Sequence, residues 1–208
     1  MSLHTEEKEE KSSNPNPGLY NGPGLQIVYT PEALLKPARR VLTKSGQFSY
    51  DFAASEPNVC EVFFGEDVDS LTIDWHQLFE SDTEPAWLNP PFSSSDKFLN
   101  KCSTEANLGA KVVALVQAAV GCSYWHKHSL IWGNPFCRVI FLDGRVPFIT
   151  PKWVLELNDK AKDYKGNGSK NDCVIIDWSP DYVNLKPNER VLTWDWRKPS
   201  ALPTEAWF

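Results

Sequence analysis

Three short, nearly unbroken apolar runs constrain this chain most: KVVALVQAA (111–119), RVIFL (138–142) and CVIIDW (173–178). A run without polar alternation cannot keep one face in water. It suits a strand covered on both faces, the habit of parallel sheets flanked by helices. Helical patterns precede and separate these runs. Thr30-Pro31 opens one, with Thr30 as cap and Pro31 in the first turn, and predicts a helix over 32–44 that stops before Gly46 and contains Pro37. Ser93–Asn107 predicts a second helix, with Phe98, Leu99 and Cys102 on its apolar face. Phe48–Phe52 and CEVFF (60–64) are short strand candidates, and AWLN (86–89) is an apolar stub ended by two prolines. LTIDW (71–75) suggests a turn followed by helix, SYWHKHSLIW (123–132) a helix or lid, and DGR (143–145) a turn. Strands alternating with helical segments of about 12 residues predict an α/β domain with a mainly parallel sheet. Such sheets bind ligands beyond the C-terminal ends of their strands, where Asp51 and Asn89 fall.

The chain has 208 residues, 41% of them hydrophobic, enough for one domain with its own core. Residues 1–25, polar and then rich in Pro, Asn and Gly, predict a flexible N-terminal arm. Residues 26–180 are expected to form the domain, and 181–208 a C-terminal extension packed on it. That tail is rich in Pro and Trp without a clear period, so its tryptophans could fold back over the sheet or face a partner. No stretch approaches the roughly 20 apolar residues that cross a bilayer, and MSLHTEEKEEKSS lacks the apolar core of a signal peptide. The expectation is a cytoplasmic protein without membrane attachment. Its five cysteines have no metal-binding or redox spacing and read as reduced core residues, so no metal is expected. The net charge of -6 excludes a generally basic nucleic-acid coat. Residues 93–170, however, carry eleven basic side chains against six acidic ones, so a local polyanion-facing surface stays open beside ordinary charge variation.

The chemistry concentrates at Asn89-Pro90-Pro91-Phe92. Two successive prolines fix the backbone and remove competing donors. The Asn89 side-chain oxygen and the Pro90 carbonyl then offer two acceptors at fixed positions, which suits an exocyclic amino group with two hydrogens. Phe92 adds a flat face on which a planar base can stack. Preorganised groups of this kind cost little to arrange during reaction. Taken alone, the four residues read more readily as a strand terminator ahead of a helix.

NPPF at 89–92 resembles the [DNS]-P-P-[YF] signature of amino-directed, S-adenosylmethionine-dependent methyltransferases. Its surroundings resemble the phage-type, Dam-like DNA N6-adenine methyltransferases from about Tyr29 to Trp178. The similar pieces occur in order: Thr30-Pro31, GQFSYDFAA (46–54), Asp69-Ser70-Leu71 followed by Trp75, WLNPPF (87–92), Val113–Val116 with Trp125-His126, and FLDGRVPF (141–148). The resemblance implies a Rossmann-like S-adenosylmethionine-dependent methyltransferase fold. It also implies methyl transfer from S-adenosyl-L-methionine to adenine N6 in double-stranded DNA, serving phage or prophage defence against restriction. Asp51, Ala53 and Ala54 would then border the methionine end of the cofactor. Asp69 would lie at its adenosine end, Leu71 would pack on the adenine ring, and Thr30 and Pro31 would close the pocket. Asn89 and Pro90 would grip the target amino group, with Phe92 stacked on the extruded base.

Three departures stand out: no glycine turn follows Asp51, Ser70 replaces the usual glycine, and Phe92 replaces tyrosine. Trp125, His126, Lys127, Arg138, Arg145 and Lys152 are candidates for DNA contact, with His128 beside them; each also has an ordinary core, surface or capping explanation. Cytosine N4, RNA or a protein amide remains an alternative acceptor, and an inactive methyltransferase-fold binding module an alternative role. Oligomeric state and target sequence are not legible.

Overall fold

The computed structural model describes residues 28–55, 58–65, 67–127, 133–150, 152 and 172–205. The predicted N-terminal arm, His128, most of the polar stretch 158–172 and Trp207 lie outside the described residues.

Helix α1 (Glu32–Leu42) forms where expected and ends two residues early. Pro31, not Thr30, is its N-cap, and no side chain caps it. Pro37 is tolerated inside, since the helix is held by burying Leu34, Leu35, Ala38 and Leu42. Helix α2 (Ser95–Ala106) follows a 3-10 turn at Phe92–Ser94 that starts from Pro91. It buries Phe98, Leu99, Cys102 and Ala106 on one side. Two single helical turns follow, α3 (Tyr124–Lys127) and α4 (Pro187–Arg190).

Six strands form one sheet: β1 (Ala86–Leu88), β2 (Val112–Gln117), β3 (Cys137–Leu142), β4 (Cys173–Trp178), β5 (Val191–Trp194) and β6 (Thr204–Glu205), in the order β1-β2-β4-β3-β5-β6. The sheet is mixed, which corrects the expectation of a mainly parallel one. β1 pairs with β2 and β3 with β5 in parallel, but β4 runs antiparallel between β2 and β3, and β6 antiparallel beside β5. The physical reason is that burial, not direction, removes polar alternation. Every residue of β4 is buried. An antiparallel strand covered on both faces therefore has the same composition as a parallel one.

The sheet separates two apolar layers by strict alternation. Val112, Ala114 and Val116 of β2 face α2, Phe52 and Trp75. Val113 and Leu115 face α1, Phe48 and Trp87. Trp178 joins the first layer; Trp194 and Trp196 join the second at 1% and 5% exposure, so three of the four late tryptophans fill the core. Residues beyond 180 thus supply β5, β6 and part of the interior.

The two short strand candidates before β1 shrink to single bridges. Asp51 pairs in parallel with both Phe63 and Trp87. Phe52 N–H donates to Trp87 O at 3.0 Å and Trp87 N–H to Tyr50 O at 2.7 Å, which sets the chain at 50–52 alongside β1. LTIDW resolves into two 3-10 turns, Ser70–Thr72 and Trp75–Leu78. DGR is a turn in which Gly144 adopts φ of 92°, a conformation that favours glycine.

Candidate active site

Because Asp51 lies in register with Trp87, Asn89 emerges two residues beyond it at the same end of the sheet. That shared register, more than sequence proximity, brings the Asp51 and Asn89 segments together. Two adjoining cavities open there. One, of about 270 Å³, is lined by Thr30, Glu32, Arg39, Asp51, Asn58 and Asn89, among others. The other, of about 370 Å³, is lined by Phe52, Ala54, Phe64, Val68, Asp69 and Phe98, among others. Val28, Ala53, Ser55 and Asn89 line both and so form the waist of a continuous cleft.

Asn89 is held in one orientation. Its Nδ2 donates to the Val28 carbonyl at 3.3 Å. A carbonyl can only accept, so the amide must turn its nitrogen toward Val28 and its oxygen away. Asn89 Oδ1 is buried and has no protein partner. Pro90 is buried and Pro91 exposed. The Pro91 carbonyl accepts from Ser94 N–H at 2.9 Å, so the chain turns into α2 immediately after the motif. Phe92 is half-buried and meets Phe148 edge-on, with ring centres 6.2 Å apart. This contact fixes the plane of the Phe92 ring.

Asp51 is 3% exposed. Its Oδ1 accepts from Ala53 N–H at 3.2 Å and its Oδ2 from Val59 N–H at 3.3 Å. Burial outweighs these two bonds and pushes its pKa up to about 6. The neighbouring Cys60 thiol is pushed up to about 12, by burial first and by the Asp51 carboxylate second, with Arg39 opposing. At the other end of the cleft, Asp69 caps the 3-10 turn by accepting from Leu71 N–H at 3.0 Å, while staying exposed at the rim.

Ser70 explains its departure from glycine. Its hydroxyl donates to Phe52 O at 2.6 Å, and its carbonyl accepts from Trp75 Nε1 at 2.7 Å. Trp75 in turn stacks on Phe52 at 4.2 Å. The Asp69 turn is therefore fastened to the chain that carries Asp51.

Of the sequence-predicted residues, Thr30, Asp51, Ala53, Ala54, Asp69, Asn89 and Pro91 line the cleft. Pro31, Leu71, Pro90 and Phe92 line neither cavity; Leu71 packs on the α2 layer and Phe92 on the α1 layer. The DNA candidates scatter. Trp125 is 3% exposed and belongs to the α2-side core. Arg138 is paired with Asp177 at 2.8 Å and lies over the Tyr182 ring. Arg145 is exposed and 3.5 Å from Asp172. His126 is exposed, with Nε2 at 2.7 Å from the Val120 carbonyl. Lys152 is exposed, and the Lys127 side chain lies outside what is described.

Sequence reasoning missed Val28 and Arg39, and it named Phe148 only as the end of a matching stretch, without its contact to Phe92. Arg39 was legible in principle, because Glu32, Leu35 and Arg39 follow a helical i, i+3, i+7 spacing and share one face. Val28 orients Asn89 through its carbonyl, which no side-chain pattern reports.

A three-layer α/β domain with its polar cleft across the ends of adjacent parallel segments is methyltransferase-like in class. The profile of the family described as DNA N-6-adenine-methyltransferase (Dam) matches residues 27–179, and the chain belongs to that family. It is also similar to a protein of Escherichia phage T1 described as a DNA N-6-adenine-methyltransferase, with 27% identity over 140 residues. The match covers 60% of this chain and 53% of the phage protein, so it spans about half of that relative's length.

Proposed function

We propose that this chain transfers the methyl group of S-adenosyl-L-methionine to the N6 amino group of adenine in double-stranded DNA. The observation that carries the proposal is Asn89 Oδ1: a buried acceptor without a partner, in an amide whose orientation Val28 sets. An exocyclic amine is a ligand that such an acceptor needs. Family membership supplies the reaction type, and the likeness to a phage DNA N-6-adenine-methyltransferase supplies adenine.

The cleft suits the cofactor. Its larger cavity has apolar walls at Phe52, Phe64, Val68 and Phe98 with the Asp69 carboxylate at the rim, a fit for an adenosine group. Its smaller cavity holds the Asp51 carboxylate and the unpartnered Thr30 hydroxyl, a fit for an amino-acid end. When bound, the cofactor supplies a methyl group already activated by its sulfonium. The protein then has to position. Asn89 accepts one hydrogen bond from the target amine and aims the nitrogen lone pair along the methyl–sulfur axis. Phe92, braced by Phe148, stacks on the base after it has left the duplex. In the balance, the new N–C bond would replace the methyl–sulfur bond, whose electron pair would stay on sulfur as a neutral thioether, and one N6 proton would pass to solvent.

The test is transfer of labelled methyl to unmethylated duplex DNA, followed by nucleoside analysis. N6-methyladenine is expected. Label on cytosine N4, or none on DNA while RNA or protein is labelled, would overturn the acceptor assignment.

A further inference from the structure

Four buried polar atoms without a protein partner, Thr30 Oγ1, Arg39 Nε, Trp87 Nε1 and Asn89 Oδ1, belong to residues lining the cavity around Asp51. The concentration of unsatisfied donors and acceptors in one cavity points to a polar ligand, because an unpaired buried group is costly. Thr30 and Asn89 already have ligands under the proposed function. Arg39 does not.

Arg39 is the one lysine or arginine among the described residues lining either cavity. Its side chain is 18% exposed and fixed at two of three nitrogens. Nη1 donates to Glu32 Oε1 at 2.7 Å and Nη2 to the Val59 carbonyl at 3.2 Å. The Val59 N–H meanwhile donates to Asp51 Oδ2 at 3.3 Å. One residue thus holds a cation by its carbonyl and an anion by its amide. Arg39 and Asp51 form no ion pair with each other among the described residues, and the Arg39 Nε–H is left for a third group. A guanidinium N–H beside a buried carboxylate, on one cavity wall, is complementary to a zwitterion.

We propose that Arg39 binds the α-carboxylate of the cofactor's amino-acid end, while Asp51 takes its α-ammonium. This depends on the cleft being an S-adenosylmethionine site. Glu32 is then a positioning residue, holding the guanidinium from the exposed side so that Nε faces inward.

The test is calorimetric binding of two nucleosides to the full chain: S-adenosylhomocysteine, and 5′-methylthioadenosine, which lacks the amino-acid end. Arg39→Gln should weaken S-adenosylhomocysteine roughly tenfold to a hundredfold, the size of a lost charge-assisted hydrogen bond. It should leave 5′-methylthioadenosine within about twofold, and Arg39→Lys should recover part of the loss. Equal weakening of both nucleosides would show a merely structural arginine and overturn the proposal, as would no weakening of either. Should Arg39→Gln fail to fold, the wild-type chain still decides. The decarboxylated analogue of S-adenosylhomocysteine must bind more weakly by a similar factor, and equal binding overturns the proposal. A wild-type chain that binds none of these nucleosides would instead overturn the cofactor assignment, and this proposal with it.

Discussion

At the scale of single residues, the site is built from groups whose hydrogen-bonding capacity the fold leaves partly unspent. Asp51 shows this in its titration. Burial raises its pKa to about 6, above the ordinary carboxylate value of 3.8. The folded chain therefore holds that proton more tightly than the unfolded chain does. Between about pH 4 and 6 the Asp51 contribution to stability falls as pH rises, by about 3 kcal/mol in all, and it stays lost above pH 6. The proposed contact with the cofactor's ammonium has the opposite sign, because that group needs the ionised form. Affinity for S-adenosylhomocysteine should be level above about pH 7 and fall by about tenfold per pH unit well below 6. Asp51→Asn should flatten that profile. Calorimetry at pH 5, 6, 7 and 8 checks it; an unchanged affinity at pH 5 would mean that Asp51 does not meet the ammonium.

At the scale of elements, the turn at Ser70–Thr72 matters more than its three residues suggest. Ser70 ties it to the Phe52 carbonyl and, through Trp75, to the aromatic stack behind the cleft. Ser70→Ala leaves the Phe52 carbonyl without its hydroxyl donor inside the core. The expected cost is about 1–3 kcal/mol. It is read as a lower urea midpoint at unchanged slope, together with weaker nucleoside binding as Asp69 drifts. A loss of stability without any change in binding would separate the turn from the cleft. How far the elements could be read from sequence varied for physical reasons. Helix α2 and strands β2, β3 and β4 were legible because burial leaves a periodic or continuous apolar trace. The segments at 48–52 and 60–64 looked like strands from their aromatic residues. Tyr50, Phe52 and Phe64 instead pack against one another and Trp75, Phe48 packs on Trp87, and pairing between the two segments is confined to Asp51 and Phe63. Strands β5 and β6 escaped notice because they are only 4 and 2 residues long and lie between charged residues and prolines, and the β3 partner of β5 is far away in sequence.

At the scale of the whole molecule, the sheet and the two adjoining cavities arise from one arrangement. Antiparallel β4 fills the middle, so the parallel pair β1–β2 and the Asp51 segment beside it are left to present their C-terminal ends together. The motif at 89–92 was legible by its residue types. Which of its atoms remain unspent was not, since that depends on Val28, 61 residues earlier in the chain. The tail is not an accessory either. Arg190 donates to the carbonyls of Pro135 at 2.9 Å, Cys137 at 3.2 Å and Tyr182 at 2.8 Å, and so fastens the start of β3 to the last third of the domain. All of these parts converge on one claim: Asn89 acts on the target amine rather than on the cofactor. The most direct measurement compares the wild-type chain with Asn89→Ala for both S-adenosylhomocysteine affinity and single-turnover methyl transfer to duplex DNA. Affinity is expected to stay within about threefold and transfer to slow by a factor of roughly 100–1,000, the cost of losing one preorganised polar group. Transfer at the wild-type rate by Asn89→Ala would contradict that claim.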